Sequence, residues 1–129
     1  MKERKGLYRF LCSLRFAWAG IRHAVMTQPN MRIHLFFTAA VLAGAWWLAI
    51  PRDDLLLLLL FIALVLSLEL VNTAIEAAVD LVTTNRHPLA KAAKDAAAGA
   101  VLVAAAASVV AGIIVFGPPL YRKIAEWLM

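Results

Sequence analysis

Apolar residues along the chain form one amphipathic segment followed by three long apolar runs. In the first segment they recur at gaps of four and three residues, as on one face of a helix. These residues are Leu7, Leu11, Leu14, Trp18, Ile21 and Val25. Arginines lie off this face, so the pattern predicts a helix over residues 1–29 that lies in the membrane interface. A helix that packs only against its own protein is the alternative.

The three apolar runs are near or above the length that crosses a hydrocarbon core of about 30 Å. They predict transmembrane helices over residues 33–50, 55–82 and 89–117. Pro29 predicts a change of direction before the first run, because proline disfavours helical geometry in the residue that precedes it. Gly117-Pro118-Pro119 predicts the end of the third helix. Residues 118–129 are then expected to form a short interfacial tail.

Composition agrees with an all-α membrane protein in one domain, because 64% of the 129 residues are hydrophobic and the mean hydropathy is +0.81. Seven of the thirteen basic residues precede the first apolar run. This placement favours anionic lipid headgroups over nucleic acid as the partner of the net charge of +5. A lone Cys12 allows no internal disulfide. No cleavable signal peptide is expected, because the N-terminal segment lacks a compact apolar core.

The distribution of Lys and Arg predicts how the chain is oriented. Alternate sides of the three predicted spans carry ten and three basic residues. The positive-inside rule then places the N-terminus and the loop at residues 83–95 in the cytoplasm. We therefore expect a multi-pass protein of the bacterial cytoplasmic (inner) membrane.

A polar stripe interrupts the second run. Glu69, Asn72, Glu76 and Asp80 are spaced by three, four and four residues, so they share one helix face. Ionisable groups at membrane depth are costly and are retained where they face a site or a partner. We interpret the stripe as an active site that opens toward the cytoplasm. The alternatives are carboxylates that hold the bundle through basic partners, a proton or cation path, and a non-catalytic scaffold.

Lys91, Lys94 and Arg86 follow the stripe, and together these groups could hold a divalent metal and a polyphosphate. Magnesium typically binds through one or two carboxylates plus substrate phosphates. The glycines form no Walker A or kinase-type loop, so side chains and metal would have to hold the phosphates. Phosphoryl transfer needs mainly positioning, metal and cationic groups, and these residues supply them.

Two segments together resemble the signature of the prokaryotic diacylglycerol kinase and undecaprenol kinase family. The first is Glu69-x-x-Asn72-Thr-Ala-Ile-Glu76-x-x-x-Asp80, and the second runs from His87-Pro-Leu-Ala-Lys through Lys94-Asp95 to Val101. The resemblance implies a homotrimeric membrane lipid kinase with sites between subunits. Its co-substrates would be ATP with Mg²⁺ and a membrane lipid. Diacylglycerol is the expected lipid, and undecaprenol is the alternative, because Asn30-x-Arg32-x-His34 resembles the undecaprenol branch.

The resemblance also implies residue roles. Glu69 would be the general base on the lipid hydroxyl, Glu76 would bind magnesium on ATP, and Asn72 and Asp80 would support them. Arg9 on the surface helix would take part in binding the lipid substrate. The residues expected to contact or lie near ATP are Glu76, Asn85, Arg86, His87, Lys94 and Asp95.

Gln28 departs from the family pattern. Family members usually carry a glutamate here that shares the metal with the second-span glutamate. An amide can coordinate through its oxygen but brings no charge. Magnesium affinity is therefore expected to be lower, or another carboxylate replaces this ligand.

Overall fold

Four α-helices make up the part of the chain that the computed structural model describes, residues 2–128. Met1 and Met129, and the side chains of residues 2–5 and 7, lie outside the described part of the chain. This part contains no β-strand, so the predicted all-α fold is confirmed. In chain order the helices are α1 (Lys2–Thr27), α2 (Pro29–Trp47), α3 (Arg52–Val82) and α4 (Pro88–Leu128).

A single residue separates α1 from α2. Gln28 has an extended backbone, with φ −102° and ψ 114°, and Pro29 is the first residue of α2. Proline disfavours helical geometry in the residue before it and is tolerated at the first helical position. The predicted change of direction is therefore present, and α2 begins earlier than the predicted start at residue 33.

The central pair of the fold is α3 and α4, which run antiparallel. Asp80 contacts Lys94 near the loop that joins them, and Leu58 packs with Val115 at the opposite end. Small and β-branched residues on the buried face of α4 let the two helices approach closely. They are Ala97, Val101, Ala104, Ala111 and Val115.

The outer surface of the fold is largely apolar. Among the described residues, α3 and α4 are long and apolar enough to cross a membrane. Leu60 of α3 and Leu102 of α4 are 65% and 70% exposed, and many other large apolar side chains are exposed with them. Apolar surface on this scale requires a lipid environment, so the chain is a membrane protein. The first part of α2 is less apolar than α3 and α4, because it carries the polar residues Asn30, Arg32 and His34.

The prediction that the third apolar helix ends at residue 117 was wrong, because α4 continues through Pro118 and Pro119 to Leu128. Gly117 explains part of this, since proline clashes least with a preceding residue that has no Cβ. Lys123, four residues beyond Pro119, lies 4.5 Å above the Trp47 ring and donates a hydrogen bond of 3.4 Å to the Trp47 carbonyl. A cation at the end of α2 also interacts favourably with the helix dipole.

A Schellman motif ends α2. The Ile50 N–H donates to the Ala45 carbonyl at 3.0 Å, and the Ala49 N–H donates to the Trp46 carbonyl at 3.2 Å. Ala49 has a φ of 51°, in the left-handed region that glycine adopts without cost. Ile50 packs against the cluster around Ala45, as is usual after this motif. The turn therefore carries strain at one alanine.

We expect Ala49→Gly to stabilise the protein by about 1 kcal/mol, because glycine removes the Cβ penalty of the left-handed conformation. Thermal unfolding in detergent micelles measures the change. Ala39→Gly is the matched control, since Ala39 is exposed within α2 and glycine there should destabilise the helix by about 1 kcal/mol. Equal effects of the two substitutions would contradict the strain at Ala49.

Candidate active site

The polar stripe on α3 runs from a buried end to an exposed end. The side chains of Glu69 and Asn72 are 1% and 5% exposed, Glu76 is half-buried and Asp80 is exposed. Glu69 and Asn72 face the interior of the fold on an otherwise apolar helix. The stripe therefore joins the apolar interior to the polar loop at residues 83–87.

Two amide groups bind the carboxylate of Glu76. Gln28 Nε2 donates to Oε2 at 3.0 Å, and Asn72 Nδ2 donates to Oε1 at 3.0 Å. Gln28 comes from the corner between α1 and α2, whereas Asn72 lies one helical turn before Glu76. The structure thus brings together Gln28 and Glu76, the two residues for which the resemblance implied a metal site.

Two buried polar atoms in this group have no hydrogen-bond partner among the described residues. They are Oε1 of Glu69 and Oδ1 of Asn72. An unpaired buried polar atom costs about 1–3 kcal/mol, so such atoms often mark places where a ligand supplies the partner. Both atoms are oxygens, which would suit a donor hydroxyl or a cation.

His34 of α2 is a neighbour of this group that sequence reasoning did not include. It and Glu76 are the ionisable groups that interact electrostatically with the Glu69 carboxylate. No local pattern indicates this approach, because His34 and Glu69 lie on different helices. The angle between α2 and α3 decides it.

A cleft of about 600 Å³ opens beyond the exposed end of the stripe. Among the predicted ATP-contacting residues, the structure brings Asn85, Arg86, His87 and Lys94 to its wall. Asp80 and Lys91 also line it, and Lys94 Nζ lies 2.6 Å from Asp80 Oδ1. The cleft therefore carries three cationic side chains and a carboxylate that holds one of them.

Polar bonds shape the loop of this cleft. The Asn85 N–H donates to Thr83 Oγ1 at 3.2 Å, and the Leu89 N–H donates to His87 Nδ1 at 3.2 Å. His87 therefore caps the start of α4, where backbone N–H groups lack helical partners.

Two predicted residues lie apart from these groups within the chain. Asp95 is outside the wall of the cleft but pairs with Lys91 at 2.5 Å. Arg9 is exposed on α1, and at 1.5 Å per residue it is roughly 28 Å from Gln28 along that helix. No hydrogen bond or ion pair among the described side chains joins Arg9 to the polar stripe.

The donor set suits magnesium better than a transition metal. Among the described residues, no cluster of three or more His, Cys, Asp or Glu side chains could hold a metal by itself. Magnesium needs only one or two carboxylates, together with other oxygens and substrate phosphates. Glu76 and the unpaired oxygens of Glu69 and Asn72 fit that requirement.

Glu69 and Glu76 also bear on the alternative in which carboxylates hold the helix bundle together through basic partners. Among the described residues, the ion pairs are Asp80 with Lys94 and Lys91 with Asp95. Neither Glu69 nor Glu76 has a Lys or Arg partner in that part of the chain. Pairing with basic residues therefore accounts for Asp80 but not for the two glutamates.

The comparisons of this chain with known proteins agree on one family. The profile of the family described as prokaryotic diacylglycerol kinase matches residues 15–116. A diacylglycerol kinase of Synechocystis is 50% identical over 85% of this chain, which spans 63% of that protein's length. An undecaprenol kinase of Bacillus subtilis is 44% identical over 92% of this chain and 96% of its own length. A diacylglycerol kinase of Escherichia coli is 30% identical over 81% of this chain and 86% of its own length.

The matched residues 15–116 include the stripe on α3, the loop and the first part of α4, so the match covers the whole candidate site except Arg9. Given this match and these relatives, the chain belongs to the prokaryotic diacylglycerol kinase family.

Proposed function

We propose that the protein is an ATP- and magnesium-dependent lipid kinase that transfers the γ-phosphate of ATP to the hydroxyl of diacylglycerol, giving phosphatidic acid. The observation that carries the proposal is the unpaired, buried Glu69 carboxylate on the same helix face as Glu76 and the cationic cleft. In this proposal Glu69 meets the lipid hydroxyl, and the nucleotide binds in the cleft, which is open to water.

Undecaprenol is the second candidate for the lipid. The Bacillus subtilis relative that carries this name matches 96% of its own length, which supports the candidate. Asn30, Arg32 and His34 also resemble that branch. Diacylglycerol remains the first choice because the 50% identical relative carries that name.

In the proposed reaction, Glu69 accepts the proton of the lipid hydroxyl as its oxygen attacks the γ-phosphorus. The bond from that phosphorus to the bridging oxygen breaks, and ADP leaves. Magnesium, when bound, neutralises charge on the phosphates. Asp80 positions Lys94 at the mouth of the cleft, and Arg86 and Lys91 add positive charge there. Glu69 is 1% exposed, and this burial limits the access of water to its carboxylate.

The proposed membrane arrangement has three transmembrane helices. α2 has 19 residues, which at 1.5 Å per residue is roughly 28 Å, close to the hydrocarbon thickness. The excess of basic residues at the N-terminus and the loop supports a cytoplasmic site in the bacterial inner membrane. We propose a homotrimer, in which Arg9 of one subunit could act at the polar stripe of a neighbouring subunit.

A conducting path is a weaker alternative. The cavity between α2, α3 and α4 beyond Glu69 has a volume of about 90 Å³ and mostly apolar walls. Its hydroxyl groups on Thr38 and Ser108 donate to carbonyls of their own helices. These two hydroxyls are therefore already engaged, and His34 is the other polar side chain on the cavity wall.

Membranes that contain the protein, supplied with labelled ATP, magnesium and either lipid, test the proposal. We expect label in phosphatidic acid, because the site offers a base and a cationic cleft. Label only in undecaprenyl phosphate would replace the first candidate with the second. Label in neither lipid would contradict the kinase proposal.

We expect Glu69→Gln to lower turnover by about 10²–10⁴-fold, because the amide cannot accept the hydroxyl proton. The substitution keeps side-chain size and removes a buried charge, so thermal stability should not fall. Glu126→Gln is the control, since Glu126 is exposed at the far end of α4. Near-normal turnover in Glu69→Gln would remove this residue from the role of base.

We expect Lys94→Met to raise the KM for ATP by about 10–100-fold, as loss of a charge-assisted contact with phosphate costs about 1.5–3 kcal/mol. Steady-state kinetics at saturating lipid measure it. Arg52→Met removes an exposed cation at the opposite end of α3 and should leave the KM unchanged. Equal KM values in the two variants would exclude a phosphate contact by Lys94.

A further inference from the structure

Gln28 occupies the cap position of α2 without capping it. Residues at this position usually turn a short polar side chain back onto the helix backbone. Gln28 makes no such bond, and its side chain instead reaches Glu76, 48 positions away in the sequence. Among the described side chains, this is the hydrogen bond that ties the α1–α2 corner to α3.

Chemistry fixes the direction of this bond. An ionised carboxylate only accepts hydrogen bonds, so Gln28 must present its NH₂ group to Glu76. Asn72 presents its NH₂ group to the other oxygen of the same carboxylate. Each oxygen of Glu76 therefore carries an N–H donor, and the Gln28 NH₂ group would repel a cation that approached Oε2 from its side.

We propose that Gln28 is a latch on Glu76 that satisfies the carboxylate and holds the α1–α2 corner when no divalent cation is bound. A cation engages Glu76 only when the Gln28 amide withdraws or rotates so that its oxygen points toward the site. Loading of the site is thereby coupled to release of the corner. The proposal rests on the proposed function only for the source of the cation, which is the magnesium that accompanies ATP.

The latch predicts that thermal stability depends on magnesium differently for glutamine and glutamate at position 28, although the two side chains are nearly equal in size. With glutamine, the neutral amide stabilises Glu76 in the absence of metal. With glutamate, two carboxylates would repel each other until a cation bridges them. Magnesium without ATP should therefore stabilise Gln28→Glu strongly and leave the original protein nearly unchanged.

The experiment measures thermal unfolding of the full-length protein in detergent micelles, with a chelator or with magnesium chloride and no nucleotide. In chelator we expect Gln28→Glu to unfold about 5 °C or more below the original protein. Magnesium should restore most of that difference and shift the original protein by about 1 °C or less. Asn30→Asp adds the same charge to an exposed residue two positions away and should show no magnesium dependence.

Gln28→Leu removes the hydrogen bond to Glu76 without adding a second carboxylate, so it tests the latch in the absence of charge repulsion. It also tests the proposal if Gln28→Glu does not fold. Gln28→Leu should be destabilised in chelator, gain nothing from magnesium and exchange amide hydrogens faster at residues 24–32. The proposal is overturned if Gln28→Leu matches the original protein in chelator. It is also overturned if magnesium stabilises the original protein as strongly as it does Gln28→Glu.

A kinase assay on the original protein distinguishes this proposal from the proposed function. The expected stability pattern without transfer of label to either lipid would keep the latch and reject the kinase. Transfer of label without the stability pattern would keep the kinase and reject the latch.

Discussion

The cost of burying acidic side chains in an apolar helix governs the arrangement of this protein. Glu76 is tolerated because two amides donate to its oxygens, and one of those amides comes from outside α3. The corner between α1 and α2 must therefore pack against the last third of α3. Glu69 differs from Glu76, because one of its oxygens has no hydrogen-bond partner among the described residues. That contrast separates an acid whose two oxygens both accept hydrogen bonds from an acid with an unpaired oxygen.

Four polar residues on this face of α3 lead from the buried interior of the fold to its exposed surface. Glu69 and Asn72 are buried, Glu76 is half-buried, and Asp80 is exposed and paired with Lys94. Close packing of α3 on the small residues of α4 brings Lys94 to Asp80 although the two are 14 positions apart. A lipid alcohol and a nucleotide could thus approach one face from opposite ends, which is the requirement that the proposed reaction places on the fold.

The part of α4 beyond the family match has a different role. The match ends at residue 116, whereas α4 continues to Leu128 and contacts the end of α2 through Lys123 and Trp47. This extension lies at the end of the fold opposite the loop at residues 83–87. It adds a contact between two helices there without approaching the polar stripe.

Patterns within a few turns were sufficient to predict the helices, the corner at Pro29 and the shared face of Glu69, Asn72 and Glu76, because they depend on neighbouring residues alone. The family motif added the remaining candidate residues. Continuation of α4 through two prolines was not predicted, since a proline signal does not show whether neighbouring helices support the backbone beyond it. The bond from Gln28 to Glu76, the approach of His34 to Glu69 and the unpaired oxygens depended on the tertiary structure. Packing angles between distant segments decide such contacts, and no local pattern encodes those angles.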